Sequence, residues 1–155
     1  MKISEAKVME YGRRKSEVLY ETAIGDYKIV VVNFRGEHPN AYVKVPERVQ
    51  HLIEQEAAMM DVDYETNPHY LCDMVDVLVH GGMTYNNECL PGGYDYEDED
   101  DGGYWYGWDY AHAYDYVCYD DVTRPQAIFE RAWSTDEIIA EALFAVKLFQ
   151  ENYEE

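Results

Sequence analysis

The chain has 155 residues, nearly half of them apolar, and a formal net charge of −20. This length suits one domain with a sizeable core, and sixteen tyrosines argue against disorder of the whole chain. No apolar stretch is long enough to cross a membrane, and the charged N-terminus lacks the apolar segment of a signal peptide. We therefore expect a single cytoplasmic domain over residues 1–155.

The negative charge is concentrated in the middle of the chain. Residues 49–123 contain eighteen Asp and Glu residues and no Lys or Arg. Such a surface repels nucleic-acid phosphates and attracts basic proteins. We therefore expect no direct contact with nucleic acid, no membrane partner, and a basic protein as the binding partner.

The N-terminal half predicts strands followed by a helix. Residues 2–20 fit either a short helix or a first strand. The β-branched run 25–34 predicts a strand, and the alternating residues 41–46 predict its antiparallel partner. Pro46 suits the first turn of a helix, and apolar residues at helical spacing predict a helix over about 47–59.

The middle of the chain predicts another strand and then an acidic loop. Valines alternate with other residues over 74–82, which predicts a third strand ending at Gly81 and Gly82. Segment 91–103 combines turn residues with a dense group of acids. Self-repulsion between these acids predicts an exposed, mobile loop.

The C-terminal third predicts a strand and a helix. The aromatic segment 104–114 predicts a strand that must be buried. Ser134 and Glu137 form a capping-box pattern, and the apolar stripe after them predicts a helix over about 135–152. These elements together predict an α+β fold with a mainly antiparallel sheet.

Two histidines and two aspartates form a candidate catalytic or metal site. His80 precedes two glycines, and Asp109, His112 and Asp115 follow at intervals of three residues. These four side chains suit a divalent cation with positions left open for water, as in a metal-dependent hydrolase or nucleotide-processing enzyme. They suit equally well a set of buried polar groups that satisfy one another in a tyrosine-rich core.

A candidate partner-binding surface combines tyrosines with acids. Eight of the sixteen tyrosines lie in residues 94–119. Aromatic rings supply contact area and carboxylates supply charge complementarity to a basic partner, although alternate rings also suit the buried face of a strand. The candidate contact residues are Tyr94, Asp95, Tyr96, Glu97, Asp98, Glu99, Asp100, Asp101, Tyr104, Tyr106, Asp120 and Asp121.

Three short segments together resemble a family of small proteins encoded by bacteriophages and mobile elements. They are HPNAYVKVP at 38–46, VHGGMTY at 79–85 and GWDYAHAYDY at 107–116. The family pairs an HGG[LI]T[YF] segment with a G[FW]DxAHAxD segment, and Tyr110 stands where a cysteine is common. The family has no assigned reaction, so the resemblance implies a phage-type setting in the host-cell cytoplasm. The resemblance implies that the residues of this sequence that carry the family pattern are His80, Gly81, Gly82, Thr84, Asp109, His112 and Asp115.

The leading functional hypothesis is a phage-type inhibitor of a host defence protein, resembling anti-CRISPR proteins and acting without a cofactor. An acidic, tyrosine-rich face would occupy the basic channel of a nucleic-acid-handling protein, for example a CRISPR effector nuclease. The metal-dependent enzyme described above is the first alternative. The second is a small-nucleotide sponge, whose cationic groups would come from Arg13, Arg14, Lys28, Arg35, Lys44 and Arg48.

Overall fold

Five antiparallel strands in the order β1-β2-β3-β5-β4 form the centre of the α+β fold. The computed structural model describes residues 16–67, 70–92, 94–117 and 126–154. The strands are β1 (Glu17–Ile24), β2 (Tyr27–Phe34), β3 (His38–Val45), β4 (Tyr85–Asn87) and β5 (Tyr104–Asp109). The helices are α1 (Glu47–Met59), α2 (Tyr70–Met74) and α3 (Thr135–Tyr153).

The two faces of the sheet are covered by different parts of the chain. Side chains alternate between faces along each strand, so Val31 and Val43 pack with the apolar stripes of α1 and α3 in the larger core. Their neighbours on the opposite face form a second cluster that is covered by residues from 85–96 rather than by helices. The buried members of this second cluster are Val30, Val32, Tyr42 and Trp105.

The predicted helix ends agree with the structure because local chemistry determines them. Pro46 precedes α1, where a residue without an N–H loses no helical hydrogen bond. The Ser134 hydroxyl accepts from the backbone N–H of Glu137, and the Glu137 carboxylate accepts from the backbone N–H of Ser134. Each contact satisfies a backbone donor that the first turn of α3 would leave unpaired.

The predicted strand over 74–82 is wrong. The chain forms α2 up to Met74 and then runs extended along α3, outside the sheet. The backbone N–H of Asp76 donates to the Tyr153 hydroxyl at 2.9 Å, and that of His80 donates to Glu141 at 3.2 Å. Burial still alternates along this segment, with the valines inside. Alternation needs only an extended chain lying on a surface, so it does not require a neighbouring strand.

The undecided N-terminal segment is a strand in its described part. Residues 17–20 belong to β1, and residues 2–15 lie outside the described part of the chain. Among the described residues, no helix is both long and apolar enough to cross a membrane.

Candidate functional site

The HGG segment and the AHAxD segment meet beyond the end of β5. Gly81 has a φ of 70°, in the left-handed region that favours glycine, and the His112 ring lies against it. A Cβ at Gly81 would overlap the Nε2 atom of this ring. The ring centroids of His80 and His112 are 5.5 Å apart. The two motifs therefore form one packed unit, and Gly81 supplies the space for its central contact.

Asp115 is the central acceptor of this unit, which we call the His–Asp unit (residues 79–82 and 108–115 with Trp133). Its side chain is only 3% exposed. It accepts from His80 Nε2 at 2.7 Å, from Trp133 Nε1 at 2.9 Å and from the His112 backbone N–H at 3.0 Å. Because an ionised carboxylate only accepts, the proton of neutral His80 lies on Nε2.

The carboxyl of Asp115 has a lowered pKa. Burial alone would raise this pKa, but the hydrogen bonds from His80, Trp133 and the His112 backbone together outweigh burial. Asp115 is therefore held as a carboxylate, and its charge fixes the orientation of both an imidazole and an indole.

Aromatic rings and one glutamate hold the His–Asp unit against α3. The His80 ring stacks on Tyr110 with centroids 5.0 Å apart and contacts Trp133 at 4.7 Å. On α3, Glu141 accepts hydrogen bonds from the Trp108 indole, the Tyr110 hydroxyl and the His80 backbone. Trp108 of β5, Tyr110 directly after it and the HGG segment are thus all hydrogen-bonded to the same helix.

The four candidate metal ligands form two separate pairs. His80 pairs with Asp115, while His112 Nε2 lies 3.3 Å from Asp109 Oδ1 without the geometry of a hydrogen bond. Within residues 16–67, 70–92, 94–117 and 126–154, no three His, Cys, Asp or Glu side chains are grouped to hold a metal ion. The arrangement is that of two His–Asp pairs, and only the carboxylate of Asp115 orients its imidazole through a hydrogen bond.

The predicted acidic loop is exposed but fastened to the sheet. Residues 94–101, which we call the acidic strap, lie over the face that the helices leave free. The ammonium of Lys44, with only 3% of the side chain exposed, lies 2.8 Å from Asp98 and 2.7 Å from Asp101. Asp98 also accepts from the Trp105 indole at 2.8 Å, and Lys28 lies 3.2 Å from Glu99.

The contacts between the strap and the sheet shift the pKa values of Lys44 and Asp101. Burial acts to lower the pKa of Lys44, but hydrogen bonds to Asp101 and Asp98 outweigh burial, so the pKa is raised. Burial likewise acts to raise the pKa of Asp101, and its hydrogen bond from Lys44 is among the contacts that reverse this, so the pKa is lowered. The ammonium of Lys44 and the carboxylate of Asp101 therefore both remain charged at neutral pH.

The tyrosines of the strap face the sheet, as do the acids that pair with Lys28 and Lys44, whereas three other acids face solvent. The Tyr94 hydroxyl lies 2.8 Å from that of Tyr42, and the Tyr96 ring meets Trp105 edge-on at 5.9 Å. The exposed acids Asp95, Glu97 and Asp100 form no ion pair with any residue in the described ranges. The strap therefore directs its tyrosines toward the sheet and these three carboxylates toward solvent.

The other predicted contact residues are placed differently. Tyr106 is fully buried in the larger core, where its hydroxyl donates to Gln50 at 2.7 Å, so it supplies no area to a surface. Tyr104 is half-buried, and its hydroxyl accepts from Asn86. Asp120 and Asp121 lie outside the described residues.

The cationic groups considered for nucleotide binding are already engaged. Lys28 and Lys44 lie beneath the acidic strap. Arg48 pairs with Asp26 and Glu154, whereas the Arg35 guanidinium stands 5.1 Å from the centre of the Phe34 ring. Arg13 and Arg14 lie outside the described part of the chain. The described cations therefore form no common anion site.

Glu141 and Trp133 were not identified from the sequence, and Lys44 was considered for nucleotide binding rather than for the acidic strap. Glu141 lies three residues after Ile138 and four before Ala145, which are both buried, so an acid at a core-facing position was a usable signal. Lys44 keeps the alternating pattern of β3 and lies on the same sheet face as Tyr42, so the pattern gave no signal that it would hold the acidic strap. Trp133 has no such pattern, because it lies between elements.

Comparison with known proteins gives no relative on which to base a function. No family model, no curated protein and no solved structure matches the chain. Its function is therefore inferred from the charges and contacts of its own residues.

Proposed function

We propose that the protein is a phage-type, anti-CRISPR-like inhibitor that binds a basic, nucleic-acid-handling defence protein of the bacterial host through the acidic strap. The observation that supports this most directly is the outward row of Asp95, Glu97 and Asp100. These carboxylates lie on a chain whose net charge is −20. Such a surface attracts the Lys- and Arg-lined channels that normally hold phosphates, a CRISPR effector nuclease being one example.

The strap holds its outward acids ready for a partner. Tyr94, Tyr96 and Asp98 attach it to the sheet, so little chain ordering remains to be done when a partner binds. Asp95 and Glu97 are two positions apart, a separation of about 6.6 Å along extended backbone. Carboxylates that project from a pre-ordered backbone are a reasonable substitute for the phosphates of a nucleic-acid strand.

The acids of the strap divide into two groups with different roles. Asp98 and Asp101 pair with the buried Lys44, so neutralising them would disturb the strap itself. Asp95, Glu97 and Asp100 can be neutralised without removing an ion pair to a described residue. Substitutions in this outward group therefore test partner binding without disturbing the attachment of the strap to the sheet.

We expect the triple variant D95N/E97Q/D100N to keep its folding stability and to lose binding. Wild-type and variant chains would be immobilised and exposed to a nuclease-treated bacterial lysate, and the captured proteins identified. Removing three interfacial charges should weaken the captured complex by about tenfold or more at low salt. Added single-stranded nucleic acid should compete with the wild-type chain for the same protein.

A matched control removes the same charge from the opposite side of the molecule. Asp61 and Glu65 follow α1, and Asp73 lies on α2, so D61N/E65Q/D73N changes three exposed acids of the helical segments without removing an ion pair to a described residue. This control should bind as the wild type does. Equal loss in both variants would indicate a general charge effect, and undiminished binding in the strap variant would exclude the strap as the contact.

One observation favours the rival proposal of a hydrolase that uses His80, Asp109, His112 and Asp115. The buried Asp115 orients His80 as the carboxylate of a catalytic dyad orients its imidazole. An enzyme of this kind would hydrolyse bis(4-nitrophenyl) phosphate and would lose that activity in folded His80→Gln and His112→Ala variants. A metal-dependent enzyme would also gain thermal stability with Mn²⁺, Mg²⁺ or Zn²⁺. Activity that survives the His80 substitution would remove this proposal.

A further inference from the structure

The acidic strap is joined to the sheet through side chains of the sheet. One of these reaches the strap backbone, because Lys44 Nζ donates to the carbonyl oxygen of Glu99 at 2.7 Å. Within the described part of the chain, no backbone–backbone hydrogen bond connects residues 94–101 to any other segment. The fastening consists of the ion pairs to Lys28 and Lys44, the indole of Trp105 and the contacts of two tyrosine rings. The strands beneath it, by contrast, are tied by continuous ladders from β1 to β5.

The ends of the strap carry residues that permit rotation of the backbone. Gly102 has a φ of 79°, a conformation that residues with a Cβ rarely adopt. Gly92, on the other side, has no neighbouring atom where a Cβ would stand. Because glycine has no Cβ, these two positions have more backbone conformations open to them than any other residue type would have.

The fastenings differ in their sensitivity to salt. Glu99 is 76% exposed and pairs with Lys28, so dissolved ions screen this pair strongly. The pairs of Lys44 with Asp98 and Asp101 are more sheltered. A segment with few backbone hydrogen bonds and exposed ion pairs belongs to the least stable part of a fold, so it opens before the sheet does.

We propose that the acidic strap is a salt-sensitive cover that opens as a unit about Gly92 and Gly102 while the sheet stays folded. Opening uncovers the apolar cluster of the second sheet face and releases Lys28 and Lys44 from their carboxylates. It also frees Asp98, Glu99 and Asp101 for other partners. This device requires no particular partner and stands whether or not the proposed function is correct.

The three tryptophan indoles test this proposal within one molecule. Each donates to a carboxylate: Trp105 to Asp98 of the strap, Trp108 to Glu141, and Trp133 to Asp115. Hydrogen exchange of the three indole N–H groups would be followed by NMR on the full chain. Raising NaCl from about 0.05 to 1 M should accelerate exchange at Trp105 about tenfold relative to the other two indoles. Exchange of all three together, or no response at Trp105, would overturn the proposal.

A substitution at the exposed fastening provides a second test. Lys28→Gln removes the pairs with Glu99 and Asp101 and should accelerate Trp105 exchange about two- to fivefold at low salt. Arg48→Gln is the control, because it removes ion pairs with Asp26 and Glu154 away from the strap. An unchanged Trp105 rate in Lys28→Gln, or an equal change in Arg48→Gln, would contradict a strap held by these pairs.

Discussion

Asp115→Ala should lower the free energy of unfolding by about 3–5 kcal/mol, the usual cost of removing one partner from a buried charged network. The substitution leaves the Trp133 indole, the His112 backbone N–H and the His80 imidazole without their acceptor. The loss is measured by urea unfolding at neutral pH, with tryptophan fluorescence and circular dichroism followed together.

Asp109→Ala is the matched control for this substitution. Asp109 is 29% exposed and lies near His112 without a hydrogen bond to its ring, but it accepts from the Ala111 backbone N–H at 3.0 Å and from the Thr84 hydroxyl at 3.5 Å. Its removal should cost about 1 kcal/mol, since solvent screens the pair with His112 and these exposed donors can bond to water instead. Equal losses at the two positions would show that Asp115 is not the central acceptor of the His–Asp unit.

Protonation of Asp115 should account for part of the loss of stability in acid. Because folding lowers the pKa of Asp115, its contribution to stability is complete above the unfolded pKa of about 3.9. The contribution is lost as the pH falls through the lower folded value. Asp115→Asn should therefore flatten the decline of stability with falling pH below about 4. A decline identical to that of the wild type would show that Asp115 does not contribute to it.

Gly81→Ala should also be strongly destabilising, by about 2–5 kcal/mol. A φ of 70° costs a residue with a Cβ about 1–2 kcal/mol, and crowding in a packed site typically adds about 1–3 kcal/mol. The crowding arises because the new methyl group would overlap the His112 ring. Thermal and urea unfolding would measure the loss.

Gly82→Ala separates strain from overlap. Gly82 has a similar φ of 84°, but a Cβ there meets no atom within 4 Å. Gly82→Ala should therefore lower the free energy of unfolding only by the backbone cost of about 1–2 kcal/mol. His112→Ala should recover part of the loss when it is combined with Gly81→Ala, because it removes the overlapping ring. Equal losses at both glycines, with no recovery in the double variant, would contradict the packing described for the two motifs.

Elements governed by local chemistry could be predicted from the sequence. The helix after Pro46 and the helix after Ser134 lie where capping residues and apolar spacing place them. The strands around residues 27–34 and 104–109 follow from β-branched and aromatic runs. In these segments each residue type favours the conformation that the fold also requires.

Long-range contacts could not be predicted in the same way. The valines of 74–82 alternate, but nothing in that segment distinguishes packing against a helix from pairing with a strand. Attachment of the acidic strap depends on Lys28 and Lys44, which lie more than fifty residues away in the chain. Likewise, the spacing of His80, Asp109, His112 and Asp115 along the sequence is compatible both with two His–Asp pairs and with a single four-ligand site. Only the turn after β5, with Asp115 directed at His80, distinguishes them.

The central functional claim is that the acidic strap binds a basic protein surface. The most direct measurement is the affinity of the wild-type chain for the captured host protein as NaCl rises from about 0.05 to 0.5 M. The proposal predicts a loss of affinity of about tenfold or more over this range, because salt screens the charges that attract the partner. An affinity that stays constant across this range would contradict it.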